Sequence, residues 1–459
     1  MFLLFIRFKF LSFMFFIYLL FNVTKAIGSD FSFEFSIYNA LKNSLELKAQ
    51  RYRLASVKHS LGEALSSKDW SNSFTTVLNS SNKKNNSSGS FVNDDTTTST
   101  ISLSRNIFDG GKASEKYSIT KDNIKLQELN LNKIEQKILL NSIKTYLDVY
   151  SNQSVTRLRK RSLLRFKENV EATELKLEAG TVTPTVLAEA KSKLAKAKYE
   201  LILAKGNLNN SISKFKSITK FKVVPNKLPL PNFSFIAPSS KEEAIKISLR
   251  NNLDIIIAKL EKSIAQKNIE LEKTNNRPTL KLEFFGKDSQ SSLNTNTSDF
   301  QSYGANITFT SPLFYNNSSK DSLRRFEKLS IASSIDLSEK YRQIELSTIS
   351  SYQNYKSSIA KTLASDSEKK SSLLALKGIK KEAQFGIRTV LDVLDAEVEY
   401  LNASTNLIKS KTEEIFNLFY IKSILGNFSI KDIKSEYKIN YYMKNNDLNF
   451  NILDSKMFN

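Results

Sequence analysis

The chain says the same thing twice. Leu177 to Ala190 (LEAGTVTPTVLAEA) superposes without a gap on Ala383 to Ala396 (AQFGIRTVLDVLDA), aligning Gly180 with Gly386 at an offset of 206 residues. Asn43-Ser44-Leu45-Glu46-Leu47 recurs as Asn251-Asn252-Leu253-Asp254-Ile255 at an offset of 208. Ile107-Phe108-Asp109-Gly110-Gly111 against Leu313-Phe314-Tyr315-Asn316-Asn317 is already at 206, so the length change lies between the early helix and that point. A repeat of this length is far longer than a solenoid unit, so it implies two pseudo-symmetric halves rather than a stacked array.

The unit that is duplicated is a long helical hairpin. Between Lys112 and Glu178 there is neither proline nor glycine, and Ile124, Leu131 and Ile138 recur at sevenfold spacing. As helix, this segment extends on the order of 100 Å, too far to be buried in an ordinary domain. Past the tip, Leu187, Leu194, Leu201 and Leu208 alternate with Ala190, Ala197 and Ala204 in a two-position heptad seam. The second half answers with Val393, Tyr400 and Leu407, and with Ala396, Ala403 and Ser410. Small residues at every second seam position permit close antiparallel packing, and Gly180 and Gly386 suit the helix-ending position that needs positive φ.

Strand-like segments interrupt the helices, two in each half. Leu280, Leu282 and Phe284 alternate with Lys281 and Glu283, and Tyr303, Ala305, Ile307 and Phe309 with Gly304, Asn306, Thr308 and Thr310. In the first half Phe74, Thr76 and Leu78 form a weaker copy, followed by Ile101, Leu103 and Ile107. This period-two pattern predicts β-hairpins at about 72–107 and 279–311, with the polar stretches Asn79 to Ser90 and Gln290 to Asp299 as exposed loops. Four strands cannot close a membrane barrel, for which about eight are needed, so a barrel would require an oligomer. A soluble sheet packed on a core would show the same alternation.

The N-terminus carries Arg7 and Lys9, an apolar run from Phe10 to Phe21, and Thr24-Lys25-Ala26. Residues 1–26 therefore read as an export signal, with the mature chain starting near Ile27; the apolar run is shorter than the roughly 20 residues of a spanning helix. Cysteine is absent, excluding disulfides and thiolate chemistry in an exported chain. The single histidine, His59, lies on a helix among Val57, Lys58 and Leu61, and Gly110-Gly111-Lys112 lacks the spacing of a phosphate loop. No enzyme, cofactor or metal site is expected. Removing Arg7, Lys9 and Lys25 lowers the formal charge from +22 to +19, but the lysines are scattered with Glu and Asp along helices, a solvated surface rather than a nucleic-acid face.

Taken together, the residues resemble the TolC-like outer-membrane efflux protein family from about Phe35 to Phe428. Asn43 and Asn251 with their Leu-acid-aliphatic triplets carry the resemblance, as do Arg277-Pro278, Leu103 to Gly111, and Gly386 to Ala396. It implies a mixed α and β fold, with a long α-helical coiled-coil barrel continuous with a transmembrane antiparallel β-barrel completed by trimerisation, built from two pseudo-repeats per chain. The first repeat would span 27–224 with its tip near 180–186, and the second 240–430 with its tip near 386–392. The Pro-rich connection 225–239 (Pro225, Pro229, Pro231, Pro238) would join them, and 431–459 would form a Lys/Asn-rich tail, partly ordered or disordered.

The function implied is an outer-membrane channel-tunnel of a tripartite efflux or type I secretion system, a passive export duct across outer membrane and periplasm. Its expected partners are two further copies, a periplasmic adaptor, an inner-membrane transporter reached through it, and outer-membrane lipid. The alternative is an exported periplasmic coiled-coil structural or adaptor-like protein without a pore. Asp392 and Asp395, three apart on one helix face, match an acidic pair that lines the periplasmic constriction in the family. Arg388 matches an arginine that tethers the closed gate; the family's tyrosine is replaced by Ala383 and its first-half acid by Val186, leaving Glu189 one turn later as the candidate partner. Gly180, Thr181, Val182, Gly386 and Ile387 form the tip loops expected to meet the adaptor.

Overall fold

The computed structural model describes residues 33–433, apart from 67, 85–90, 222–223, 225, 227, 232–235, 294–295, 315–316 and 427. The export signal, Pro225 and the tail beyond 433 lie outside the described residues. In chain order the elements are α1 (Phe33–Asn43), α2 (Leu45–Ser66), β1 (Ser71–Lys84), β2 (Phe91–Phe108), α3 (Lys112–Glu178) and α4 (Pro184–Thr219). The second half contributes α5 (Lys241–Asn251), α6 (Leu253–Thr274), β3 (Thr279–Leu293), β4 (Asn296–Thr310), α7 (Asn317–Gln384) and α8 (Val390–Ile424), before a short 3-10 turn at Ile430–Ile433. The duplication is close in length: α1 and α5 are 11 residues each, α2 and α6 are 22 each, and α3 and α7 are 67 and 68. From α1 to the start of β3 the offset stays at 208, so the two residues are lost within the second β-hairpin.

The chain divides into two compact units. One comprises Glu46–Ile134 and Leu249–Leu346; the other comprises the described parts of Met1–Leu45, Glu135–Ser248 and Ser347–Asn459.

The first unit holds a single antiparallel sheet in the order β1-β2-β3-β4. Its strands run further than the polar composition of their ends suggested, because Asn79 to Lys84 pairs with Phe91 to Thr96, and Gln290 to Leu293 with Asn296 to Asp299. Backbone pairing in a two-stranded ladder extends through Ser, Thr and Asn as long as neither side chain competes for the ladder bonds. Register sorts the side chains. Phe74, Ile101, Leu103, Leu280, Leu282, Phe284, Tyr303, Ala305, Ile307 and Phe309 share one face; Ser73, Thr75, Thr98, Thr100, Ser102, Glu283, Lys287, Ser289, Asn306 and Thr308 share the other. Alternation breaks once, at a bulge between Asn106 and Phe108, which displaces Ile107 from the expected pattern. The apolar face is not covered within the chain: Tyr303 is 92% exposed and Ile307 73%.

A tight corner joins sheet and helix. Asp109 accepts from the amides of Gly111 (3.0 Å) and Ala113 (2.8 Å), capping α3, while Arg277 donates to the Gly110 carbonyl at 3.1 Å. Gly110 has φ of 67°, and a Cβ there would stand 2.8 Å from the Arg277 Cβ and 3.2 Å from the Thr274 carbonyl. Only glycine fits a left-handed residue pressed this closely.

The second unit is built from α1, the distal parts of the long helices, and the inter-repeat connection. Phe33 and Ile37 pack with Leu139, Ile143 and Tyr146 of α3, Phe215 of α4, Phe419 of α8, Leu228, Phe428 and Ile433. Ile433, in the first part of the Lys/Asn-rich tail, thus packs on this core. Tyr146 donates to the Pro229 carbonyl at 2.9 Å, and its repeat counterpart Tyr352 donates to the Ser239 carbonyl at 3.0 Å. Burial pushes the Tyr146 hydroxyl well above the ordinary phenol range. Gln153 accepts from the Leu228 amide, so both ends of the connection are fastened to the helices by side chains. Among the described residues, no helix is long and apolar enough to cross a membrane.

Candidate functional site at the helical hairpin tips

Both tips turn the chain in the same way. At the end of α3 the Thr181 amide donates to the Lys176 carbonyl (2.9 Å) and the Gly180 amide to Leu177 (2.9 Å); at the end of α7 the Ile387 amide donates to Glu382 (2.9 Å) and Gly386 to Ala383 (3.2 Å). With φ of 71° at Gly180 and 77° at Gly386, these are paired Schellman closures. The helices that follow start differently. Thr183 makes no side-chain cap and Pro184 opens α4, whereas Thr389 and Asp392 form a reciprocal capping box at α8. Thr181, Gly386 and Ile387 are exposed and Val182 half-buried; Phe385, which the sequence reading passed over, is 81% exposed beside Ile387 at 72%.

The candidate acids are engaged within the chain. Asp392 accepts from the Thr389 amide at 2.8 Å and hydroxyl at 2.9 Å; these bonds, with Arg388 nearby, hold its carboxyl below the usual range. Asp395, one turn on, forms an ion pair with Lys193 of α4. Arg388 donates to Glu382 at 2.9 Å, and that carboxylate, then Asp392, raises its pKa further. No hydrogen bond or ion pair joins Arg388 to Glu189, so the tether expected between them is absent: Glu382 lies within the same tip and takes the guanidinium.

Further up the hairpins, the repeats carry the same rung with its charges exchanged. Glu174 of α3 pairs with Lys191 of α4 at 2.9 Å; at the equivalent positions Lys380 of α7 pairs with Glu397 of α8 at 2.6 Å. The first rung is half exposed, but Glu397 is only 4% exposed. The exchange turns the acid toward the other hairpin, where Asn169 of α3 donates to it at 3.3 Å. Beside it an apolar cluster joins Phe166 and Val170 of α3, Ala190 and Ala197 of α4 and fully buried Leu394 of α8. Two polar links, Lys193–Asp395 and Asn169–Glu397, thus flank an apolar seam between the hairpins. Neither Lys193, Asn169 nor Glu397 stood out in the sequence; the signal that could have found the rung is the sign exchange at an offset of 206.

His59 is exposed on α2, and among the described residues no group of His, Asp and Glu could hold a metal ion.

The profile of the outer membrane efflux protein family matches residues 36–218 and 244–427, one match in each repeat. The chain is 22% identical to the outer membrane protein TolC of Vibrio cholerae over 307 residues, 65% of this chain and 70% of that protein. It is 20% identical to the outer membrane efflux protein BepC of Brucella suis over 332 residues, 72% of each. The solved structure of CusC, 15% identical, superposes with a TM-score of 0.74 over 87% of this chain and 93% of CusC. A match running through both repeats, on a fold of two long hairpins and one four-stranded sheet, establishes that the chain belongs to the outer membrane efflux protein family and serves efflux at the outer membrane.

Proposed function

We propose that three copies of this chain form a passive export duct, a β-barrel in the outer membrane continued by an α-helical barrel in the periplasm, through which cargo leaves without covalent chemistry. The observation that carries this reading is the open sheet. β1 and β4 are the edge strands, 14 and 15 residues long, with no neighbouring strand in the chain, and one face carries a band of apolar side chains, many of them exposed. Such edges demand strand partners, and four strands fall short of the about eight a barrel needs. Joining β1 of one copy to β4 of the next closes the barrel, sets the apolar face against lipid and the Ser/Thr-rich face toward a wet lumen.

At the other end the tips carry the gate. Asp392 and Asp395 from each copy line the constriction and favour cations by their sign. The tether expected of Arg388 and Glu189 passes to Lys193–Asp395 and Asn169–Glu397, which hold the α7–α8 hairpin against α3–α4 in the closed state. Gly180, Thr181, Val182, Gly386 and Ile387, with exposed Phe385, meet a periplasmic adaptor that links the duct to an inner-membrane transporter. Exposed apolar side chains at a turn are suited to a partner rather than to water. Contact there draws the second hairpin outward and separates the two links.

Single-channel conductance in a planar bilayer tests this, comparing the native chain with Asp392→Ala/Asp395→Ala in the presence and absence of millimolar divalent cations. The expected result is a low-conductance, cation-blocked pore that loses its block in the double variant. Well-folded protein that gives no channel would favour the pore-free coiled-coil reading. Conductance indifferent to the substitutions would keep the duct and remove both the acidic ring and the Lys193–Asp395 link.

A further inference from the structure

On the Ser/Thr-rich face of the sheet one charge is left over. Lys281 and Glu283 of β3 pair with each other at 3.3 Å, and the described side chains that β1, β2 and β4 turn to this face carry no charge. Asp288 follows Lys287 in the chain, but strand alternation sends it to the opposite face. Among the described residues, Lys287 therefore has no carboxylate beside it on its own face.

What surrounds Lys287 is aromatic. Its ammonium lies 5.3 Å from the centroid of the Phe300 ring of β4, a ring that is 50% exposed. Two residues back along β3, about 7 Å away, the half-buried Phe285 ring closes over Gly304, 3.1 Å from where a Cβ would stand. The φ of Gly304 is not left-handed, so the glycine serves no turn; its missing side chain is what lets the Phe285 ring lie down on the sheet. Phe285, Lys287 and Phe300 thus form an aromatic–cation–aromatic run on a wall that is otherwise mostly Ser, Thr and Asn.

The run has a defined chemistry. An ammonium held over a ring face directs part of its charge at the ring and keeps N–H donors free, because it has three of them and no acceptor. An anionic oxygen can take those donors while a ring attached to it packs against Phe300 or Phe285. A neutral aromatic gains only the ring contact, and a cation is repelled.

We infer that this run is a binding site for aromatic anions, cargo that joins a ring to a carboxylate or sulfonate, with Lys287 holding the charge and the two phenylalanines the ring. The inference rests on the reading of this face as the wall of the duct. It adds a substrate class that the acidic tips do not specify, since Asp392 and Asp395 favour cations at the other end.

Planar-bilayer currents at neutral pH, with naphthalene-2-sulfonate as the probe and uncharged 2-naphthol as its comparison, test it. In the native chain the sulfonate should interrupt the current at about tenfold lower concentration than the naphthol, the worth of one hydrogen bond to a charged group. That margin should shrink between 0.1 and 1 M salt, as the screening length falls from about 10 to about 3 Å. Because the chain has no cysteine, Lys287→Cys creates a single reactive position. This variant should lose the margin; coupling it to a trimethylammonium-ethyl methanethiosulfonate should bring part of it back, and coupling it to the sulfonate-ethyl reagent should not. Phe300→Ala should weaken block by both probes alike. Sulfonate block unchanged in Lys287→Cys, or a current unmoved after coupling that mass spectrometry verifies, rejects the site while the open channel keeps the duct. Absence of any channel in the native chain rejects the duct, and the site with it.

Discussion

The carboxylate of Asp392 caps its own helix, and this sets its response to acid. Its pKa is lowered by the Thr389 amide and hydroxyl, with Arg388 adding to the effect. A depressed folded-state pKa means the cap contributes in full above the unfolded value of about 3.9 and is lost only as pH falls through the lower folded value. Protection of the amides at the start of α8, taken relative to their intrinsic exchange, should therefore hold on acidification to about pH 4 and fall below it. Thr389→Ala should cost about 1 kcal/mol of hairpin stability at neutral pH, read as faster exchange in the same segment. The spacing of Thr389 and Asp392 is legible as a capping box in the sequence alone. That Asp395 finds Lys193 is not, since 202 residues separate the two.

At the scale of elements, the exchanged rung separates two ion pairs that look alike on paper. Lys191–Glu174 lies at the surface, where such pairs are worth about 0–1 kcal/mol, so Lys191→Ala should change little. Lys380→Ala should cost on the order of 3 kcal/mol, because it strands the 4% exposed Glu397 carboxylate with only the Asn169 amide for company. Thermal unfolding of the two variants side by side checks the ordering; equal midpoints would show that Glu397 is not a buried charge in the assembled protein. If the flanking links also hold the gate, Lys193→Ala should raise open probability in the bilayer and Lys191→Ala should not. The strands show the opposite limit of sequence reading. Period two located all four, but their Ser- and Asn-rich ends were read as loops because composition does not reveal a backbone ladder that continues through polar residues.

For the molecule as a whole, the duplication requires a connection that returns the chain from one repeat to the other, and two equivalent tyrosines fasten it. Tyr146→Phe and Tyr352→Phe should each cost about 1 kcal/mol, with faster amide exchange near Leu228 in the first and near Ser239 in the second. Local loosening confined to the matching end would confirm that each hydroxyl acts on its own half. The repeat, the long proline-free helices, the left-handed glycines of the tips and the positions of the strands were all determined by the sequence by itself, since each depends on spacing within a few turns or residues of chain. What only the tertiary structure decided is which charged groups meet. Lys193 with Asp395 and Asn169 with Glu397 depend on which faces two distant elements bring together, and periodicity fixes a face without naming what lies opposite it.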